Sequence, residues 1–542
     1  MRKAIFSFIL IILFTYACSN TSSKESIQNT ITPLPSITGS KESHQKTITS
    51  PPHATNTTPI NIDTPWPPVT GPAPSYRVGA FYYPWYFNLE SDGRWVHWDQ
   101  GDYKPPLDIA SDFYPVLGAY SVSDPTVLAQ HFAWLRESGV GIIISSWWGQ
   151  GESSDRILRL MFDIADHYGI KIAFHIEPYG ARTAESLADD IQYIYDRYGN
   201  YPAFFWTTET SCFSLDDRPK GLFFIWASAV PDGNSPVVSP DYWQETIDTI
   251  HNKNPGAIIL TDQNDSNWIN HGHFDGSYNY GVLDVDQVGY KWALNLPAGA
   301  WYVPGINPGF SARRIGYANW VDTPRMNGST YDDRWEQMFA VGIEPKLVVI
   351  TTFNEWHEGT QIEPAAPGVT TPNGFTYQDY GKLPPDGYLT LTREWSERFL
   401  TFEWPRTITL RVRMQTTSDW TDLNLIEGAI WHDTNVISTS GDEAEAGMLD
   451  GYFNLQQPIG QAESGNITEV IFEIKVRDVE NENSVVFEIE RGGLGATWVE
   501  LYRLLGEEWI MVESFSWGGH SEGDRNTSSF EVTKETIFGE LK

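Results

Sequence analysis

An α/β chain, a (β/α)8 TIM-type barrel followed by a C-terminal antiparallel β-sandwich domain, is the fold the sequence predicts. Three observations predict it. From Arg77 to about residue 405, eight short β-rich runs alternate with amphipathic helical patterns. Several runs are almost continuously apolar, such as Gly141-Ile142-Ile143-Ile144 and Lys346-Leu347-Val348-Val349-Ile350, as strands buried on both faces are. Beyond Pro405 the period changes to two: Thr407-Ile408-Thr409-Leu410-Arg411-Val412-Arg413 alternates strictly. A doubly wound open sheet competes with the barrel, but it would bring a Gly-rich phosphate turn, and neither GxGxxG nor GxxxxGK[ST] occurs.

The chain has 542 residues, which suggests several domains. Met1-Arg2-Lys3 is a short basic head, and the apolar run Ala4–Tyr16 is too short to span a bilayer but suits a signal peptide. It ends at Ala17-Cys18-Ser19, so residues 1–18 read as an export signal, either acylated at Cys18 as in lipoproteins or simply cleaved. Residues 19–75, dominated by Ser, Thr, Asn and Pro, cannot bury enough apolar surface to offset ordering entropy and read as an extended tether. With Cys18 used for anchoring, Cys212 is left as a lone thiol, expected to be buried and inert. Two cysteines build no disulfide framework.

Residues 76–405 are expected to form the barrel. Its strands fall at Val78–Tyr86, Gly141–Trp148, Lys171–Pro178, Gly221–Ser228, Ala257–Asn264, Phe274–Gly281, Trp301–Phe310 and Lys346–Trp356. Helical patterns cover Asp124–Ser138, Ser154–Tyr168, Ala184–Tyr198, Pro240–Lys253 and Tyr331–Val341, and Glu394–Phe402 closes the ring. Asp124-Pro125 and Ser239-Pro240 offer a capping side chain followed by proline at the first helical position. Residues 406–542 are expected to form the sandwich, with further alternating runs at Val470–Val476, Val485–Glu490 and Trp498–Leu505. Trp420, Trp431 and Trp517 leave two readings of this tail open, a carbohydrate-binding module and a structural appendage.

Chemistry in such barrels sits at the C-terminal ends of the strands. Those ends carry Tyr82-Tyr83-Pro84-Trp85-Tyr86, Trp147-Trp148, His175-Ile176-Glu177, Trp226, Asp262, Tyr278, Tyr280, Asn307 and Asn354-Glu355-Trp356-His357-Glu358. Nearly every end offers an aromatic ring or a carboxylate, which describes an aromatic-walled, acidic cleft. The formal net charge of −34, from 36 basic and 70 acidic residues, repels polyanions and argues against nucleic acid as a partner. The 23 Trp and 26 Tyr suit stacking on the C–H faces of sugars, or core packing. Glycosidic cleavage needs a proton for the leaving oxygen and a base or anion on the sugar side, supplied by two carboxylates in different environments. Glu355 and Glu358 are the catalytic candidates, with Glu177, on the third strand end beside His175, as a third.

The run Phe353-Asn354-Glu355-Trp356-His357-Glu358-Gly359-Thr360-Gln361-Ile362-Glu363 resembles the signature of glycoside hydrolase family 99, the endo-α-mannosidases and endo-α-mannanases. Tyr82–Tyr86, Trp95-Val96-His97-Trp98, Phe113-Tyr114-Pro115 to Ser121, His175–Tyr179 to Ala184, Phe274–Tyr278 and Pro304–Phe310 are similar to other parts of that family, and the resemblance spans roughly residues 78–367. It implies a barrel that cleaves α-mannosidic bonds within a chain, with retention and without a catalytic metal. It further implies that the sugar's own 2-hydroxyl attacks the anomeric carbon to give a 1,2-anhydro intermediate. Glu355 would deprotonate that hydroxyl, and Glu358 would protonate the leaving oxygen and then activate water. Tyr82, His175, Glu177, Tyr278 and Tyr280, with Asn307, Asn354, Trp356 and His357, would hold the sugars; Trp147 or Trp148 would floor a subsite. Ser146-Trp147-Trp148-Gly149 departs from the family's usual Trp-Tyr, and Thr207–Ser239 has no clear counterpart.

Other signals are weaker. Asp284-x-Asp286 is a lone acidic pair, His271-x-His273 lacks a third ligand, Asp262-x-Asn264-Asp265 lacks the glycine of a calcium loop, and no G-x-S-x-G is present. No metal or cofactor is expected. The expected partner is an α-mannose-containing polysaccharide or glycan, met by a monomer that touches membrane only through its N-terminal anchor, at the cell surface or secreted. A hydrolase of another linkage such as α-glucan, a glycosyltransferase, and a catalytically silent glycan-binding protein are the alternatives.

Overall fold

The computed structural model describes residues 66–539 apart from 281–289, 291, 294–295, 298, 317–321, 406, 418–419, 428–434, 441–444, 450–451, 457–467, 478–483, 492–495, 506–507 and 519–525. The export signal, Cys18, the tether up to residue 65, Asp284, Asp286 and Trp431 lie outside the described residues, as does the side chain of Trp420, and Ser75, expected to end the tether, opens the first strand instead.

The first sheet is parallel. Its strands are β1 (Ser75–Tyr82), β2 (Val140–Trp147), β3 (Lys171–Ile176), β4 (Lys220–Ile225), β5 (Gly256–Thr261), β6 (Gly276–Tyr278), β7 (Trp301–Val303), β8 (Gly305–Ile306) and β9 (Val348–Ile350). They pair in the order β7-β6-β5-β4-β3-β2-β1-β9-β8, with Trp206–Thr207 added antiparallel to β4. Since β7 and β8 are one stave interrupted at Pro304, the sheet closes into a ring of eight staves, as the sequence pattern predicts. The seventh run was expected to be a single strand, Trp301–Phe310. Pro304 divides it because it has no N–H to give to a ladder. Before it, β7 pairs with β6; after it, β8 pairs with β9, and the Pro304 carbonyl accepts from Val349 N at 3.0 Å. Gly305 is required at the crossing, where a Cβ would lie 2.0 Å from the Asn279 carbonyl oxygen.

Apart from the single turns Leu89–Asp92 and Ser153–Arg156, and Lys534–Phe538 after the last strand of the tail, the helices are α1 (Pro125–Glu137), α2 (Leu158–Tyr168), α3 (Ala184–Tyr198), α4 (Asp241–His251), α5 (Ser266–Asn270), α6 (Ser329–Val341) and α7 (Gly387–Thr401). Asp124 caps α1 through Thr126 N with Pro125 in the first turn, and Thr183 and Ser186 form a reciprocal capping box on α3. Ser239 does not cap α4: Pro240 takes the cap position. Ser154–Tyr168 is not one helix either. A single turn, Ser153–Arg156, precedes α2 because the buried Asp155 carboxylate accepts from Gly151 N, Trp147 Nε1, Tyr193 and Tyr198, pinning that turn.

All eight residues of β2, and Leu222 to Ile225 of β4, are buried, which accounts for their unbroken apolar runs. Burying each such aliphatic side chain contributes about 1.5–3 kcal/mol. The tail forms two five-stranded antiparallel sheets. With β10 (Thr407–Thr416), β11 (Trp420–Glu427), β12 (Asn435–Ser440), β13 (Glu445–Leu449), β14 (Tyr452–Gln456), β15 (Thr468–Arg477), β16 (Ser484–Arg491), β17 (Thr497–Leu505), β18 (Glu508–Trp517) and β19 (Asn526–Thr533), their orders are β12-β15-β10-β17-β18 and β13-β14-β11-β16-β19. Leu410, Val412 and Met414 on one sheet and Phe487, Ile489, Phe530 and Val532 on the other share the core between them. Trp517 is packed against that core rather than offered as a surface ring. Cys212 is half-buried and makes no disulfide, where full burial was expected, because it sits in the loop ahead of β4 rather than in a strand.

Candidate active site

Side chains alternate along a strand, so each stave sends every second residue into the barrel. Phe81 fixes the phase of β1: its ring meets His175, Phe224, Tyr278 and Tyr280 at centroid distances of 4.7, 5.7, 5.8 and 5.3 Å. Tyr83 therefore points inward and Tyr82 outward. On β2 and the residue beyond it, Ser146 and Trp148 point inward and Trp147 outward. His175, Glu177, Phe224, Tyr278 and Tyr280 complete the inward set.

The eighth stave carries the acids. β9 is shorter than the expected Lys346–Trp356, because beyond Ile350 the backbone turns back on itself: Thr352 N bonds Thr360 O, and Ile362 N and Glu363 N bond Thr352 O and Phe353 O. The segment between projects over the barrel mouth. Thr352 Oγ1 caps it by accepting from Glu355 N at 2.8 Å. Glu355 Oε1 accepts from His357 N at 3.0 Å and from the Tyr86 hydroxyl at 3.3 Å, whereas its Oε2 has no hydrogen-bond partner among the described residues. Glu358 Oε2 accepts from the Tyr280 hydroxyl at 3.1 Å, and Tyr280 in turn meets Tyr83 Oη at 2.7 Å. Asn354 clasps the end of β1, its Oδ1 accepting from Tyr83 N at 2.8 Å and its Nδ2 donating to Tyr83 O at 3.0 Å.

Both acids are buried, and both favour the protonated form. Burial first, then the charges of Glu358 and Glu177, hold Glu355 well above the usual carboxylate range. Burial pushes Glu358 up to about 7; the Tyr280 hydroxyl opposes that rise and the charge of Glu177 adds to it. The two acids and Glu177 thus lie within one another's fields. His357 supports this group without competing for protons. Burial lowers it to about 4, and its Nε2 lies 2.8 Å from the His97 carbonyl, which can only accept. Nε2 therefore carries the hydrogen, and the bare Nδ1 faces Glu355 Oε1 at 4.0 Å. His97 itself adopts φ 64° and stacks on Trp85 at 4.5 Å.

The third acid has a different setting. Glu177 Oε1 accepts from Ser146 Oγ at 2.7 Å and lies 3.1 Å from His175 Nδ1; His175 Nε2 meets the Tyr278 hydroxyl at 2.9 Å. Trp148, half-buried, donates to Ser146 Oγ at 3.1 Å. Arg182, buried among backbone carbonyls of Ile176, Trp226, Ala227 and Pro231, pins the loops after β3 and β4 beside this wall.

The structure thus brings together Trp148, His175, Glu177, Tyr278, Tyr280, Asn354, Glu355, His357 and Glu358. Asn307, just past β8, is fully buried at the seventh stave end. Three expected sugar contacts face the other way. Tyr82 bonds His131 Nδ1 of α1 at 3.0 Å, Trp147 bonds Asp155 at 3.1 Å, and Trp356 donates to Glu363 at 2.9 Å; each is fully buried behind the barrel wall. Each is one residue out of phase with an inward neighbour. Tyr83 and Tyr86, placed by the sequence at a stave end but given no role, and Ser146, not anticipated at all, complete the site; the phase set by Phe81 would have singled out Tyr83. Among the described residues no three His, Cys, Asp or Glu side chains gather as a metal ion requires. His273 instead pairs with Asp248 at 2.6 Å, and His271 lies 3.9 Å from Asp241.

A closed parallel barrel with two buried, mutually coupled carboxylates at its eighth stave, set among tyrosines and tryptophan, defines the class as a glycoside hydrolase. The comparisons narrow it: residues 74–401 match the sequence profile of glycosyl hydrolase family 99, and the chain belongs to that family. The glycoprotein endo-alpha-1,2-mannosidase of Mus musculus is 35% identical over 367 residues, 60% of this chain and 76% of the relative. That of Xenopus laevis is 33% identical over 372 residues, 61% and 78% of the two chains. The solved GH99 endo-alpha-mannosidase from Bacteroides thetaiotaomicron superposes with a TM-score of 0.51 at 29% identity, over 60% of this chain and 98% of that one.

Proposed function

We propose that the protein is an exported, endo-acting, retaining hydrolase of α-mannosidic bonds in mannan or mannose-rich glycans. The observation that carries the reading is the division of labour between the two acids. Glu355 spends one oxygen on the protein and keeps Oε2 for the ligand; the reacting form is the one in which Glu355 is ionised and Glu358 protonated, and there burial makes Glu355 a strong base. Glu358, at about 7, holds a proton near neutral pH and can give it up. In the reaction, Glu355 Oε2 takes the proton of the 2-hydroxyl as that oxygen bonds to the anomeric carbon. Glu358 protonates the departing oxygen as the glycosidic bond breaks. In the second half Glu358 accepts a proton from water as it attacks the anomeric carbon, and Glu355 returns its proton to the 2-oxygen. Two inversions give retention. An axial 2-hydroxyl trans to an α-leaving group is needed, which mannose has. The relatives named endo-alpha-1,2-mannosidase support this substrate class.

Incubation with α-mannan oligosaccharides, read by product size and by NMR of the first-formed anomer, tests it. Oligosaccharide products released as the α-anomer are expected, and Glu355→Gln or Glu358→Gln should lower kcat by at least about 100-fold. Release of single sugars from one end, a β-anomer, or parent-like turnover in either variant would overturn it. Export rests on the sequence Met1–Cys18; labelling with a radioactive fatty acid, lost in Cys18→Ala, separates an anchored from a released form.

A further inference from the structure

The barrel rim holds a second recess, of about 260 Å³, between the loops that follow the seventh and eighth staves. Its inner wall includes Gly359, the residue after Glu358. That wall is tightly held. Gly359 has φ 60°, and a Cβ there would come within 2.7 Å of the Ser311 carbonyl oxygen. Ser311 N donates to Glu358 O at 2.7 Å. Arg325, only 9% exposed, donates from Nη2 to Gly359 O and Gln361 O at 2.9 and 2.6 Å, and lies against the rings of Phe113, Tyr380 and Tyr388 at 4.9, 4.7 and 4.6 Å. Whatever occupies the recess touches the backbone that carries Glu358.

The lining identifies the occupant's chemistry. Arg313 and Asp322 form an ion pair of 2.7 Å, Asp379 adds a second carboxylate, and Phe310 and Phe113 supply aromatic carbon. An anionic ligand would meet two carboxylates. An apolar one would cover the ion pair and Asp379 without a hydrogen bond to either. A neutral ring bearing several hydroxyls satisfies acceptors and donor together while covering aromatic carbon. The volume lies just below the usual range for small-ligand pockets, about 300–1,000 Å³, so it suits one ring.

We propose that this recess is a distal subsite for one sugar of the leaving portion of the glycan, beyond the sugar whose oxygen Glu358 protonates. The assignment rests on the acid role given to Glu358. Of the loop that carries both acids, only Gly359, the neighbour of Glu358, belongs to its lining. In an endo-acting enzyme the leaving chain runs outward on the acid's side.

The test compares Asp322→Ala and Asp379→Ala with the parent on two substrates: an oligomannoside extended at its reducing end, and an α-glycosyl fluoride whose leaving group is a single atom. The ratio of kcat/KM for the oligomannoside to that for the fluoride is expected to fall about tenfold in the double variant. An unchanged ratio overturns the proposal, whether both rates fall together or neither moves. Crystals of Glu358→Gln soaked with the oligosaccharide provide a readout independent of turnover. A sugar ring against Arg313 and Asp322 supports the subsite; an occupied cleft with the recess vacant overturns it. Failure of the substrate reading shows separately, as a parent enzyme that cleaves neither mannoside.

Discussion

Glu358 and Tyr280 illustrate how one hydroxyl tunes an acid. The Tyr280 O–H donates to the carboxylate and so favours its ionised form. Removing it in Tyr280→Phe should raise the proton affinity of Glu358 further, and the limb of kcat/KM that reports this acid, expected near pH 7 in the parent, should move to higher pH. A pH–rate profile checks the direction. The same acid carries a stability cost. Its carboxyl holds a proton to about pH 7 in the folded chain but only to about 4.5 when unfolded. Its contribution is therefore full below pH 4.5 and declines as pH rises through 7. Glu358→Gln cannot ionise, so it should be more stable than the parent at pH 8, by up to about 3 kcal/mol, and the difference should vanish toward pH 4.5. Thermal unfolding at the two pH values measures this. A variant that loses activity while gaining stability is the pattern of a strained functional group rather than of a damaged core.

At the scale of the element, the sequence located the stave ends but misjudged which residues at those ends face inward. The family resemblance implies that Tyr82, Trp147 and Trp356 touch the sugars, yet each lies one place out of register with the inward set. Their polar atoms are instead taken by His131, Asp155 and Glu363 in the layer between strands and helices. The signal was available in the period of two, anchored by the one residue, Phe81, whose inward direction an apolar centre demands. What no pattern announced is the turn after β9, because its Thr352–Thr360 and Phe353–Glu363 pairings join residues within one loop. The correction has its own test. Trp147→Phe leaves Asp155 one donor short and should cost about 1–3 kcal/mol of stability in urea unfolding with KM unchanged. Trp148→Ala should raise KM severalfold with little loss of stability.

For the whole molecule, counting sufficed. Eight apolar runs, their helices and the change of period after Pro405 anticipated a ring of eight staves and two stacked sheets, because burial on two faces or one leaves different traces in sequence. Strand lengths were less legible: β6 and β9 hold three residues each, since the last residues of those runs serve the cleft rather than the ladder. The charge of −34 bears on behaviour at this scale as well. A neutral glycan feels no long-range pull from that field, so KM should stay constant between 50 and 500 mM salt, limits chosen to span Debye lengths of roughly 14 to 4 Å. A KM that rises steeply with salt would point to a charged ligand instead.

The clasp between Asn354 and Tyr83 has a practical corollary for enzyme engineering. Neither acid owes its posture to its own loop alone: one leans on Tyr86, the other reaches Tyr83 through Tyr280, and both tyrosines come from the opposite end of the barrel sequence. Transplanting the chemistry onto another scaffold would mean carrying residues 82–86 and 352–363 together, as one discontinuous graft, with Tyr280 to bridge them.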